Sequence, residues 1–481
     1  MMKCSFAKIP LSGTFTPVWP FGTELYGRFL YLEGENDKAL ICAFDFLGTF
    51  HTEARRWREE VSKATGIPER SIWYHELQIH AAPESEALSG EAMDKIIERT
   101  VSAVKDMMTR AQEFDLYACE ADFGTECTFN REQYVEGLGG VTVWTGMEFD
   151  DEGRPYSQDK NIMLLRGYQP DLPVFDKPIY FDNPNDPKAY LFVFKNKQGE
   201  TIGTVSRFAA HPDVAVLFEL RFHPDRTKMY HYNFDWPGYM SEGFETEYGG
   251  ISMYLNGPCA DLSTKKSNEK MATYEDSDAD CRRLAAWFGG KLKKAFAETA
   301  VKVDTEQAFA TETFRVSVPM KDDIPYDREQ PEYWAKRAND TETALQQAIA
   351  DGKPAYEVKH LIDERWRASQ LQHIATYKTG FTDEELAKHE VEIDIAVMKF
   401  AGYLFVGVPG ESLVDMTLWL RSEFTGVKTI PVDQVGGYFN YMATPRSLTL
   451  GGYTYWSSWV NRETIPTLKR KIYPLINEFN K

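Results

Sequence analysis

Six residues combine a reactive side chain with a shared local setting. His80 in "ELQIHAAP", His211 in "RFAAHP", Asp261 and Ser263 in "NGPCADLST", Glu411 in "VPGES" and Tyr441 in "GGYFNYMATP" each follow an apolar run that reads as a strand. Strand ends along one edge of an α/β sheet lie close together, so residues far apart in sequence can form one site. Two histidines and a carboxylate gathered this way are a common ligand set for a catalytic zinc, with a further position left open for water or substrate. No HExxH or other compact ligand motif is present. Spacing alone therefore leaves plainer roles open: a hydrogen-bonded structural imidazole at His80 or His211, a helix-terminus carboxylate at Glu411, and a local Asp-x-Ser turn at Ser263.

The elements that must position these residues alternate along the chain. "KALICAFDFLGTF" reads as a buried strand ending at Asp45, and the amphipathic "HTEARRWREEVSKATG" follows it, with Gly66 as its stop. "SIWYHELQIHAAP" repeats the strand, and "SGEAMDKIIERTVSAVKDMMTRAQEF" is a long helix opened by Ser89. Strand, helix, strand, helix predicts an α/β fold with sheets flanked by helices. "AYLFVFKNKQGETIGTVSRFAAHP" predicts a hairpin turning at Lys197, Gln198 and Gly199. In "YLFVGVPGES" a strand ends at Pro409-Gly410, and Glu411 is expected to open a helix whose Leu413, Met416 and Leu420 share one face. Residues 321–390, charged and helical in pattern, read as a solvated insertion in a single domain spanning 1–481, with a lid over the site as the alternative.

Composition narrows the partners. The formal charge is −19, from 73 acidic and 54 basic residues, and no Lys/Arg block stands out. Nucleic acid and anionic membrane both need a basic face, so a small-molecule substrate is expected instead. "MMKCSFAKIPLSG" has no apolar h-region and no segment approaches the ~18 uncharged apolar residues of a membrane span, which predicts a cytoplasmic protein. The six cysteines are spread without a CxxC pair, so neither a zinc knuckle nor a disulfide framework is expected.

Several segments, taken in order, resemble the neutral/alkaline (non-lysosomal) ceramidases. They are "ALICAFDFLG", "ELQIHAAP", "NREQY", "TVSRFAAHP", "FDWPGYMSEGFETEYGGISMYLNGPCADLS", "VGVPGESLVDMTLWLR" and "GGYFNYMATPRSLTLGGYTY". The resemblance implies the ceramidase catalytic-domain fold, an amide hydrolase activity and a zinc ion. His211, Glu411 and Tyr441 match the family's metal ligands. His80 matches a substrate-facing or proton-handling histidine, Ser263 a serine beside the scissile amide with a nucleophile role, Arg131 an arginine facing the substrate carbonyl or hydroxyl, and Tyr453 a tyrosine near the amide. Gln78 and Asp261 are expected on the substrate side.

The departures are equally specific. Gln78 stands where the family has a further histidine ligand, and an amide oxygen suits harder ions than zinc. Ala260 and Thr264 replace a glycine and a proline of the serine loop, and the family's C-terminal immunoglobulin-like domain is not expected after "GGYTY". The leading expectation is a metal-dependent hydrolase, with zinc or another divalent ion, of an amide or related acyl bond in a substrate smaller and more polar than ceramide. A carbohydrate hydrolase would instead show a carboxyl pair ~5–10 Å apart. A non-catalytic binder that has lost its zinc is the third reading.

Overall fold

The computed structural model describes residues 2–135, 139–142, 183–216, 231–264, 273–305, 309–321, 331–377 and 380–481. Two sheets stack face to face with helices outside both, so the α/β expectation holds. The larger sheet has nine strands. Eight run in the spatial order Ile251–Asn256, Thr201–Phe208, Lys188–Asn196, Gln112–Asp122, Lys3–Pro10, Tyr26–Glu33, Lys38–Phe44 and Ile72–Glu76, and Val301–Val303 pairs with Gln112–Asp122. The smaller sheet orders Ala310–Pro319, Glu390–Phe400, Tyr403–Gly407 and Lys428–Val432.

Within these two sheets, the described residues pair in parallel at three places. Thr201–Phe208 runs parallel to Ile251–Asn256 at one margin of the large sheet, and Lys38–Phe44 to Ile72–Glu76 at the other. In the small sheet Tyr403–Gly407 runs parallel to Lys428–Val432. Parallel neighbours cannot be joined by a hairpin, and each connection carries a helix: Asp235–Tyr248, His51–Thr65 and Val414–Glu423.

Side-chain alternation along the strands makes the layers. On Glu390–Phe400, Ala396, Met398 and Phe400 enter the core between the sheets, where Phe400 stacks on Phe194 at 6.2 Å. Ile393, Ile395 and Val397 point the other way, into a second core with Leu468, Ile472 and Ile476 of the helix Thr464–Asn480. Outside the large sheet, the helix Glu91–Arg110 buries Met93, Ile96, Thr100, Val104 and Met107, one face of a 3.6-residue period.

The two margins of the large sheet meet through the segment after Lys428–Val432. The Asp433 amide donates to Asn256 O at 2.9 Å, the Glu76 amide to Gln434 O at 3.2 Å, and the Asn256 amide to His75 Nε2 at 3.1 Å. A buried ion cluster ties the same region to the small sheet. Asp186 accepts from Arg207 Nη1 and from Arg421 Nη1, both at 2.5 Å, while Arg207 Nε donates to Pro431 O at 2.9 Å. All three strand–helix–strand units therefore deliver the ends of their strands to one region.

One turn expectation holds and two others are corrected. The hairpin turns at Gly199 (φ 87°), as read. The long helix starts at Glu91 rather than Ser89, and "QEF" belongs to the strand Gln112–Asp122, because Phe114, Leu116 and Ala118 are buried at the strand's period of two. Glu411 does not open a helix: it pairs with Tyr441 in a short parallel bridge, and the helix starts at Val414.

Within 321–390, residues 322–330 and 378–379 lie outside the described residues, and the rest carries the helices Pro331–Ala350, Ala355–Tyr377 and Asp383–Lys388. Leu345, Ala348, Val358 and Ile362 close a small core with Trp456. Arg367 Nη1 donates to Trp456 O and Ser458 O, and Asp363 accepts from the Gly452 amide at 3.2 Å. This seam packs the segment against the short helix that carries Tyr453. No helix among the described residues is long and apolar enough to cross a membrane.

Candidate functional site

The strand ends converge on the side chain of Arg131. Thr128–Asn130 pairs with Leu262–Thr264, and the Arg131 amide donates to Asp261 O at 2.7 Å, which fixes where its side chain starts. Its Nε donates to Ala260 O at 2.9 Å, Nη2 donates to the Tyr441 hydroxyl at 2.6 Å, and the same Nη2 lies 3.4 Å from His211 Nε2. Nη1 lies 3.9 Å from the Asp213 carboxylate. The guanidinium is 2% exposed. Burial disfavours its charge, but Tyr441, Asp213, Tyr453 and Glu411 outweigh that and hold it firmly protonated.

His211 enters from the end of Thr201–Phe208 and is anchored by its amide on Leu262 O at 2.9 Å and by a backbone bridge to Ser263. Its Nδ1 is 3.3 Å from Cys259 O and its Nε2 is 2.8 Å from His80 Nε2. A carbonyl only accepts, so His211 carries its proton on Nδ1 and its Nε2 accepts from His80. Burial, then the neighbouring Arg131 charge, push its pKa far below the usual imidazole range, so His211 is neutral at physiological pH. His80 comes from the opposite margin of the large sheet, held by its amide on Pro212 O at 3.1 Å, and is only half-buried.

Glu411 and Tyr441 follow the two parallel strands of the small sheet and stand side by side in register. Gly410, just before Glu411, has φ 64°, and a Cβ there would lie 3.0 Å from Asn440 O, so a glycine is what permits this close pairing. Glu411 Oε1 accepts from the Tyr438 hydroxyl at 2.9 Å, while Oε2 has no hydrogen-bond partner among the described residues. Burial raises the Glu411 pKa, and Arg131, Tyr441, Tyr438 and Gln78 offset this in part. The Tyr453 ring meets that of Tyr441 edge-on at 5.0 Å and lies 5.9 Å from the Arg131 guanidinium.

Gln78 is buried beside this group in the left-handed region (φ 61°), a backbone cost that non-glycine residues bear mainly at functional sites. Its Oε1 is 3.5 Å from Cys259 Sγ, and its Nε2 has no hydrogen-bond partner among the described residues. Asp261 is committed to the scaffold: one oxygen accepts from Asn130 Nδ2 at 2.7 Å and the other from the Val414 amide at 2.8 Å, at the start of a helix. Burial, followed by repulsion from Glu132, raises its pKa to about 7. Ser263 is fully buried and its Oγ has no hydrogen-bond partner among the described residues.

Sequence reasoning missed Tyr438, Asp213, Cys259 and Asp433 as members of this neighbourhood. Asp433 accepts from the Ser412 and Cys259 amides at 3.1 and 3.4 Å, and so holds two of the loops together. Tyr438 and Asp213 lie within three residues of Tyr441 and His211, so proximity to a candidate was the available signal.

These donors, as arranged, do not fit a divalent ion. One His211 nitrogen is engaged by a carbonyl and the other by His80, and a guanidinium stands against the Tyr441 hydroxyl. Among the described residues, no group of three or more His, Cys, Asp and Glu side chains is placed to hold a metal.

No protein-family profile and no curated protein matches the sequence. Solved structures do match. The neutral ceramidase of Pseudomonas aeruginosa aligns over 98% of this chain and 73% of its own, with a TM-score of 0.63 and 12% identity. A ceramidase complexed with C2 aligns over 98% of this chain and 74% of its own, with a TM-score of 0.61 and 13% identity. The chain therefore has the ceramidase-like fold that its sequence segments resemble.

Proposed function

We propose that the protein hydrolyses an amide or related acyl bond in a small, polar substrate. The observation that carries this reading is the convergence of His80, His211, Arg131, Glu411 and Tyr441 from separate strand ends on one buried cation, within a fold shared with ceramidases. Arg131 and Tyr441 supply fixed donors for the oxyanion that develops as the carbonyl is attacked, at a site where a low dielectric strengthens them. His80, half-buried and backed by neutral His211, takes the proton of the attacking water and passes it to the leaving nitrogen. Ser263 Oγ bonds to neither imidazole, which favours water over the serine as nucleophile.

A small, polar substrate in an aqueous compartment, the cytoplasm on this reading, agrees with the net charge of −19, which repels anionic lipid surfaces. The test is release of free amine from a panel of N-acyl amino acids, short N-acyl amino alcohols and long-chain ceramide in vesicles. Turnover of the short compounds and little of ceramide is expected. No turnover of any acyl compound, or a preference for vesicle ceramide, overturns the reading.

A further inference from the structure

We propose that the Arg131 guanidinium takes the place a divalent ion would hold in this site, so that the cluster works with an organic cation and without metal. The proposal rests on the hydrolase reading only in treating the cluster as the working site.

Three observations carry it. First, the guanidinium is fixed on several sides, by Ala260 O at 2.9 Å, the Tyr441 hydroxyl at 2.6 Å and Asp213 at 3.9 Å, rather than resting in an open pocket. Second, two of the three expected ion ligands, Tyr441 and His211, are already engaged by this cation or by a neighbouring imidazole. Tyr441 accepts from Arg131, and the single lone pair of His211 Nε2 faces both His80 Nε2 at 2.8 Å and Arg131 Nη2 at 3.4 Å. Third, Gln78 stands, buried, at the position the sequence marks for another ligand, where its amide offers at most an oxygen in place of an imidazole nitrogen.

Charge decides between the two cations. A zinc ion sits about 2.0–2.1 Å from an imidazole nitrogen, which at His211 would place it within a few ångströms of the guanidinium. Two positive charges that close in a buried site repel strongly, because little water screens them. Moving the side chain aside would strip it of its Ala260 and Tyr441 partners and leave a buried charge unpaired. A delocalised guanidinium also offers several in-plane N–H groups, so it can hold Tyr441 and still present a donor to a carbonyl oxygen.

The test is Zn2+ binding by calorimetry on protein purified without a metal-binding tag, with thermal melts to check folding. Wild type and His211→Ala are expected to be alike, neither showing a one-to-one site. Arg131→Gln should tighten Zn2+ binding at least tenfold over wild type, and Arg131→Gln with Gln78→His at least a hundredfold. A wild-type site that holds one Zn2+ and is lost in His211→Ala overturns the proposal. So does the absence of any gain in variants that melt cooperatively. If either variant fails to fold, the wild-type and His211→Ala pair still decides. Since no readout here is turnover, failure of the hydrolase reading and failure of this proposal are separate results.

Discussion

The Nε2 atoms of His80 and His211 stand 2.8 Å apart although 131 residues separate them. Each belongs to a different margin of the nine-stranded sheet, so the contact exists only because the sheet's two margins are brought together. His80 is the half-buried partner and His211 the fully buried one, and on the proposed reading protons are exchanged at His80 while His211 sets its orientation.

His80→Gln should therefore lower kcat on an acyl-amide substrate by about 100-fold or more while leaving the melting temperature near wild type, because a half-buried side chain at a loop carries little packing. Steady-state kinetics alongside thermal melts check this. Equal loss of rate and of folding would assign His80 a structural role.

Ser263→Ala is expected to retain turnover within about tenfold of wild type and to leave the time course without a burst, since the hydroxyl has no hydrogen-bonding base among the described residues. Mass spectrometry of the quenched reaction provides the second readout. An acylated Ser263 peptide would make the serine, and not water, the nucleophile.

Much of this arrangement was legible from the sequence, and for a physical reason. A strand buried on both faces announces itself as an apolar run, and the reactive residues sit where those runs stop, as at His211 and Tyr441. What the sequence concealed is contact between elements. Nothing local to "NREQY" shows that Arg131 reaches Tyr441, because that depends on how Thr128–Asn130 pairs with Leu262–Thr264. Glu411 looked like a helix opener because a carboxylate next to a helix pattern usually is one; its true partner, Tyr441, lies on another strand. The zinc expectation came from residue types, whereas the cation that faces Tyr441 was visible only in three dimensions.

Asp186 sits fully buried between Arg207 and Arg421, and those two charges hold its carboxyl below the usual range against the opposing effect of burial. Asp186→Asn leaves two arginines without their counter-charge and should cost about 3–5 kcal/mol of stability. Denaturant titration checks it. A loss under about 1 kcal/mol would mean that the ion cluster does not tie the two sheets together.

Glu76 links stability to pH. Burial pushes its carboxyl up to about 8, with Thr49 offsetting this only in part. The folded state thus binds the proton more tightly than the unfolded chain, whose glutamates titrate near 4.3. Stability is full below about pH 4 as far as this group is concerned, and it falls as pH rises toward 8. Glu76→Gln, which cannot ionise, should match wild type near pH 4 and melt at a higher temperature at pH 8.5. Parallel melting curves at both values that show no change in the difference would contradict it.

The central claim is that Arg131 supplies the working cation of a hydrolytic site. Its most direct test is the hydrolysis of a short N-acyl amine by wild type, Arg131→Lys and Arg131→Ala, each with excess chelator present throughout. The account predicts that wild type turns over in chelator, that Arg131→Ala loses at least about 100-fold in kcat, and that Arg131→Lys recovers part of the loss, since an ammonium keeps the charge without the planar fork. Wild-type activity abolished by chelator and restored by Zn2+, or Arg131→Ala as fast as wild type, would contradict it.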